Sequence, residues 1–411
     1  MTHFIQNSRS YLLALMASTV LAACSNADAQ KPSLPAAAAP AAPAVKAMTA
    51  VINDAADIAP IVDVKDMTSS VQMDVWIDDI DQPWGITFTA PDTALITQKS
   101  GTLVQYKNGE MTEIANVPEV NDGGQGGLLD VTLDPNWPEE EWVYLSFSHP
   151  KTPGSNEAMT KVIRAKIANS ALTNIETLFE ANAEDYIGTG FHYGSRITFD
   201  EAGHLYFSIG DRGIMQGSQD LSKPQGKIHR INRDGSIPAD NPFVDTPDAY
   251  PSVYSYGNRN PQGLIIHPQT GVLWSTEHGP KGGDELNVIR AGVNYGWPEI
   301  SYGINYNGTV LTEFTKKPGM AQPISQWTPS IAVCGLDVYQ GSLFPEWNGK
   351  LLAGALAYEE VRLVTVKDDK YVTEATILQQ EGRVRDVTTG PDGAIYVATQ
   401  DQILRLTPAA K

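Results

Sequence analysis

The 411-residue chain is poor in cysteine: Cys24 and Cys334 are the only two. A disulfide framework is therefore excluded, and stability has to come from a large packed core. No C-x-x-C-H segment occurs, which excludes covalently attached haem. Basic residues are outnumbered, 29 against 48 acidic, for a formal charge of −19. That balance argues against nucleic acid and against a polybasic membrane patch. The acidic residues are scattered, so they read as solvated surface and make any cluster of arginines more informative. Stretches with helical periodicity are scarce, and the apolar run from Tyr11 to Ala22 is too short to span a bilayer comfortably.

What is present begins with an export pattern. Arg9 precedes the apolar run, which ends in Leu21-Ala22-Ala23-Cys24. This segment resembles the signal of bacterial lipoproteins, which implies removal of residues 1–23 and acylation of Cys24. Ser25 favours anchoring at the periplasmic face of the outer membrane in a Gram-negative cell, with a periplasmic protein as the alternative. The lipid would be the only membrane contact. Residues 24–70 read as a tether and weakly structured lead-in, because Lys31 to Ala47 is Ala/Pro-rich and cannot bury a core. The folded domain is expected over residues 71–411.

Within that domain, short apolar or alternating runs are punctuated by Gly, Asp, Asn and Pro, the all-β pattern. A loose unit recurs: apolar strand, turn, apolar strand. It begins at Trp84, Leu128, Ser195, Gln262, Gly335 and Arg385. Each instance reads as the inner hairpin of a four-stranded antiparallel blade, giving a six-bladed β-propeller. Loops at one mouth of such a propeller converge from different blades.

Polar residues collect just before these inner strands. Gln125 lies in "NDGGQGG", His192 and Arg196 in "FHYGSR", Arg259 and Asn260 in "YGNRNPQG", Trp327 in "QWTPS", and Arg383 and Arg385 in "GRVRD". Tight turns account for the glycines. They do not account for an amide, an imidazole and several guanidiniums recurring at one face. Arginines gathered at one mouth of an acidic chain point to an anionic ligand, which guanidinium binds in forked geometry. The segment "STEHGPKGGDELN" offers carbonyls and carboxylates of the kind that suit Ca²⁺, with Asp284 and Glu285 equally readable as a solvated turn.

The stretches "GGQGGLLDVTLDP", "FHYGSRITFD", "SIGDRG", "YGNRNPQGL", "TEHGPKGGDELN", "NYGWP" and "RVRDVTTGPDGAIYV" together resemble the soluble PQQ-dependent aldose sugar dehydrogenases of the glucose/sorbosone dehydrogenase family. The resemblance runs from about Pro83 to Leu406 and implies a six-bladed propeller that oxidises the C1 hydroxyl of aldoses to lactones. By position it implies that His192 is the base that takes the hydroxyl proton while hydride moves to PQQ. Gln125 falls on a cofactor contact, and Arg259 and Asn260 fall beside the quinone carbonyls, where donors stabilise developing charge. Arg383 and Arg385 fall on the arginines that hold the PQQ carboxylates. The carbonyls of Gly279 and Pro280 fall on the cofactor's Ca²⁺ site, and Glu285 with the Tyr295 carbonyl on a second, structural Ca²⁺. Trp327 falls on an aromatic at the sugar-binding mouth.

Two positions depart from the family pattern. Ala357 stands where a PQQ-contacting lysine is expected, with Arg362 too far along a regular strand to replace it. Phe191 stands where some members carry an aspartate beside the histidine. Ala357 leaves open a propeller that binds a sugar or protein without redox chemistry; Ca²⁺-dependent lactone hydrolysis is a further alternative by fold analogy. Electrons would leave to an external acceptor such as a cytochrome or a quinone. Of the other histidines, His204, His229 and His267 read as structural, and His278 as support behind the Gly279-Pro280 turn. Arg196 reads as a brace for the His192 loop.

Overall fold

A computed structural model describes residues 57–410. The expected signal segment and Cys24 lie outside the described residues. Among the described residues there is no α-helix, only short 3₁₀ turns, and no helix is long and apolar enough to cross a membrane.

Six antiparallel sheets stand around a central axis. The inner strands, in chain order, are Pro83–Ala90, Leu128–Leu133, Ile197–Phe199, Pro261–Ile266, Val333–Val338 and Asp386–Thr389. Each packs against the next, and the last packs against the first, so the ring is closed. We number the blades 1 to 6 by these strands. All six recurrent units read from the sequence occupy inner hairpins. Blade 6 takes its outermost strand from the other end of the domain: Val71–Ile77 pairs antiparallel with Ile403–Pro408. This closure ties the two chain ends together without a covalent link.

The described residues ahead of Val71 also join the sheets. Val64–Asp66 adds a parallel strand to the outer edge of blade 5, beside Lys370–Gln379. Pro60 bridges Gln326, and the Ile58 amide donates to the Tyr302 hydroxyl at 2.9 Å. Residues 58–66 are thus pinned to blades 4 and 5, because a sheet edge offers unpaired backbone groups to any nearby extended segment.

An apolar cluster fills each interface between neighbouring blades. Tyr144, Leu205 and Phe207 lie between blades 2 and 3, for example, and Leu352, Val387 and Leu404 between blades 5 and 6. Losing one such leucine side chain costs about 2–5 kcal/mol. Close to the axis the inner strands crowd one another. A Cβ on Gly263 would sit 2.4 Å from the Leu336 Cβ, and one on Gly335 would sit 2.7 Å from an Asp386 oxygen. Those glycines are needed for room rather than for an unusual φ.

Candidate active site

The mouth at which the inner strands begin also receives the loops that follow each second strand. The His192 loop is built there by backbone contact between blades 2 and 3. Gln125 N–H donates to the Gly190 carbonyl at 2.6 Å, and His192 N–H donates to Gln125 Oε1 at 2.8 Å. A Cβ on Gly124, whose φ is +63°, would lie 2.1 Å from the Gly190 oxygen, so only glycine allows the two loops to meet.

Arg212 supports this loop from below. Its guanidinium is fully buried and donates to the carbonyls of Phe191, Thr189 and Ala158, while stacking 3.4 Å from the Tyr193 ring centroid. The clamp holds His192 at a φ of +59°, a left-handed conformation that a non-glycine residue adopts only when its surroundings impose it. Phe191 stands 43% exposed, edge-on to the His192 ring, so no carboxylate comes from that position.

The carboxylate comes instead from Asp211. His192 Nδ1 lies 2.7 Å from Asp211 Oδ1. Asp211 also accepts from Gly213 N–H and from Trp297 Nε1–H, which fixes both of its oxygens. An ionised carboxylate cannot donate, so Nδ1 carries the proton and Nε2 is a bare lone pair. Burial holds the Asp211 pKa up, but the bonds from His192 and Gly213 outweigh it and bring the net shift below the ordinary value. For His192, burial dominates and lowers the pKa, helped by the charges of Arg259 and Arg212 and opposed by Asp211. The imidazole is therefore neutral at pH 7, ready to take a proton. Neither Asp211 nor Trp297 was singled out from the sequence. The available signals were a lone aspartate closing the apolar strand of "LYFSIGD" and the tryptophan of "NYGWP".

Beside the histidine lies a cleft made of two adjoining cavities of ≈ 200 and ≈ 220 Å³. Trp84, Gln125, Leu356, Arg383 and Arg385 line both. Asn260 and His278 line the deeper one, and Lys99 the outer one. Asn260 Oδ1 accepts from Gly194 N–H and Gln262 Nε2, leaving its Nδ2 without a partner among the described residues. Among the described residues, Arg385 donates to Gln262 Oε1 and Cys334 Sγ, and neither arginine has a carboxylate partner. The Trp84 indole forms the floor, with Arg196 stacked 4.4 Å from its ring centroid. Burial and the charges of Arg259 and Arg385 push His278 down to about 3, and its Nε2 is buried without a partner. Among the described residues, no acidic side chain lines either cavity.

A third, small cavity adjoins Arg259 and holds the expected metal residues. Gly279, Pro280, Glu285 and Tyr295 line it, joined by Glu277, which the sequence pattern does not assign to the metal. Glu277 and Glu285 are register partners on neighbouring strands, which puts two carboxylates on one face. Burial raises both pKa values, and the charge of Glu277 raises Glu285 further. Such a pair in a buried place fits a cation that neutralises both, with backbone oxygens completing the shell. The donor set is small: among the described residues no group of three or more His, Cys, Asp or Glu is arranged to hold a metal. Asp284 is not the solvated turn residue considered above. It is fully buried and accepts from Gly279 N–H, Ser330 Oγ–H and Val333 N–H, which shapes the Gly279-Pro280 turn.

Arg259 spans the two regions. Its guanidinium donates to the His278 carbonyl at 3.1 Å, approaches the Tyr306 hydroxyl at 3.5 Å and has no carboxylate partner among the described residues. Arg196 points to the axis, where it pairs with Asp130 and Asp386, and the His192 loop is braced by Arg212 instead.

The expectation for Trp327 is corrected. The ring is 2% exposed, packs in the core between blades 4 and 5, and donates to Glu374. It closes the outermost strand of blade 4, its carbonyl accepts from Gly283 N–H, and its ring turns toward the neighbouring blade 5. Glu374 also pairs with Arg362, so that arginine is committed outside the cleft. Ala357 is exposed and brings no charge, while its neighbour Leu356 lines the cleft. His204, His229 and His267 are held by Asp200, by Ser252 with the Pro224 carbonyl, and by the Gly349 carbonyl, respectively.

The profile of the Glucose / Sorbosone dehydrogenase family matches residues 80–407. The aldose sugar dehydrogenase YliI of Escherichia coli (strain K12) is 38% identical over 352 residues, covering 83% of this chain and 94% of YliI. The crystal structure of the soluble aldose sugar dehydrogenase from Escherichia coli in the apo form superposes with a TM-score of 0.78 at 37% identity, over 82% of this chain and 99% of that one. The PQQ-bound aldose sugar dehydrogenase from Streptomyces coelicolor gives 0.66 at 27% identity, over 82% and 98%. With a family profile spanning all six blades and relatives of this similarity, the chain belongs to the glucose/sorbosone dehydrogenase family of sugar-oxidising enzymes.

Proposed function

We propose that this protein oxidises aldoses at the C1 hydroxyl with PQQ as cofactor and Ca²⁺ as its metal. The observation that carries the reading is the cleft beside His192: guanidiniums without carboxylate partners, free amide donors and an aromatic floor, in a chain of charge −19. This is the lining that a flat, polycarboxylate molecule requires. Bound there, PQQ would supply the quinone that accepts the hydride from C1, with Ca²⁺ as the Lewis acid that polarises it.

The chain's own residues do the rest. Arg383 and Arg385 hold carboxylates, and Gln125 and Asn260 offer amide donors from two blades. His192 Nε2 takes the C1 hydroxyl proton, with Asp211 fixing the tautomer and stabilising the imidazolium that forms. Arg259 donates where negative charge builds up, and its tie to the His278 carbonyl keeps it in place before the substrate arrives. Glu277 and Glu285 would hold the structural Ca²⁺, and the Gly279 and Pro280 carbonyls the cofactor's ion. The electron pair would pass on to an external acceptor, a cytochrome or a quinone, outside a membrane to which Cys24 tethers the protein.

The test is reconstitution of protein lacking residues 1–56 with PQQ and Ca²⁺. Aldose-dependent dye reduction is expected, lost with EDTA and absent without PQQ. A folded protein that binds no PQQ would instead favour the non-redox reading left open by Ala357. The base makes a pH prediction as well. Activity needs neutral His192, so kcat/KM should be flat near pH 7 and fall in acid with an apparent pKa below the ordinary 6.5. Asp211 is the group that raises His192, so Asp211→Asn should move this acid limb to still lower pH. A limb above 6.5 in the wild type would remove His192 as the base.

A further inference from the structure

Blade 5 contributes no cation to the cleft, yet the cleft carries a third positive charge that neither the family pattern nor the sequence motifs pointed to. Lys99 follows the second strand of blade 1, Thr93–Gln98, and lines the outer cavity together with Gln125, Arg383 and Arg385. We propose that Lys99 is a cofactor-binding residue, the third cation that grips the anionic groups of PQQ. This rests on the PQQ reading above and extends it to a residue on a different blade.

Three observations support it. First, the backbone at Lys99 is fixed. Its N–H donates to the Gln82 carbonyl, and its own carbonyl accepts from Leu128 N–H, so the residue sits at the junction of blades 1 and 2. Second, its ammonium is aimed by a single neutral acceptor. Nζ donates to the Asp122 carbonyl at 2.5 Å, in the loop that also carries Gln125, and this leaves further N–H groups for a ligand. Third, Lys99 has no ion-pair partner among the described residues. In a chain with 48 acidic residues against 29 basic, a cleft with three cations and no carboxylate in its lining is a marked local reversal of charge. PQQ carries three carboxylates, and Arg383, Arg385 and Lys99 offer three cations from two sides of the cleft.

The experiment measures PQQ affinity directly, by equilibrium titration of the Ca²⁺-loaded apoprotein followed by fluorescence quenching. Wild type, Lys99→Met and Lys99→Arg are compared at low and high salt. Lys99→Met should raise Kd roughly tenfold at low ionic strength, as for loss of a charge-assisted hydrogen bond, and Lys99→Arg should retain most of the affinity. The ratio between wild type and Lys99→Met should shrink toward one as salt screens the charge. Equal affinities for wild type and Lys99→Met would overturn the assignment while leaving the PQQ reading intact. A loss of the same size at every salt concentration would overturn it too, since that is the signature of a loosened Asp122 loop rather than a missing charge. Failure of the wild type itself to bind PQQ would overturn both. Lys99 lies at the surface of the mouth, and an unchanged thermal midpoint in each variant is the check on folding.

Discussion

Replacing His192 by alanine is expected to lower kcat for aldose oxidation by about 10²–10⁴-fold, the range for removing a positioned general base. The loss should appear in kcat and kcat/KM alike, because the proton moves only in the transition state. Nothing nearby can take over the role. His278 Nε2 is buried and its pKa lies at about 3, which makes it a poor base. The nearest carboxylate, Asp211, has both oxygens occupied by Gly213, Trp297 and the imidazole itself. Asp211→Asn tests the other half of the dyad. An amide can donate to Nδ1 and so favour the tautomer with its proton on Nε2, which points the wrong way for a base. Steady-state kinetics with saturating PQQ and Ca²⁺ measures both variants. A His192→Ala enzyme with more than a tenth of wild-type kcat would mean that proton removal is handled by another group or by water.

Much of this site could be read before any coordinates, for a physical reason. A propeller brings together residues that occupy the same place in successive repeats, so finding the repeat also finds the mouth. Gln125, Asn260, Arg383 and Arg385 precede inner strands in blades 2, 4 and 6, and all line one cleft. What stayed hidden lies after the second strands of blades 1 and 3: Lys99, Asp211 and Arg212. Trp327 shows a different limit. An aromatic before an inner strand looks the same whether its ring turns to the mouth or between two sheets. Glu374, the carboxylate that draws it inward, sits in the outer strand of the next blade. The closure of blade 6 and the added strand at Val64–Asp66 were equally invisible, since both are pairings across more than 300 residues with no local signal.

The second large effect is on stability and comes from the axis rather than the mouth. Arg196 Nη1 lies 2.9 Å from Asp130 Oδ1 and 3.1 Å from Asp386 Oδ1, all three side chains being buried. The other oxygens of the two aspartates accept from Ile197 N–H and Ile86 N–H, and Arg196 Nε donates to the Gln262 carbonyl. Blades 1, 2, 3, 4 and 6 thus meet in one polar cluster. Burial outweighs the pairing for the acids: the Asp130 pKa is raised, and Asp386 is pushed up to about 7. Arg196→Met would leave two carboxylates in a dry channel without a cation. The cost is about 3–5 kcal/mol, as for breaking one side of a buried ion pair. Adding Asp130→Asn and Asp386→Asn should restore much of it, because the burden is the unpaired charge and not the lost attraction. The pH dependence has a definite sign. Without Arg196 the folded-state pKa values rise further above the unfolded value of about 3.9, so the native state binds more protons than the unfolded state between those limits. Stability of Arg196→Met should therefore recover as pH falls from 8 toward 5, whereas a simple packing defect would show no such recovery. Urea unfolding of the single and triple variants across that range measures both effects. A loss below about 1 kcal/mol for the single variant at pH 8 would show that water reaches the axis and solvates the carboxylates there.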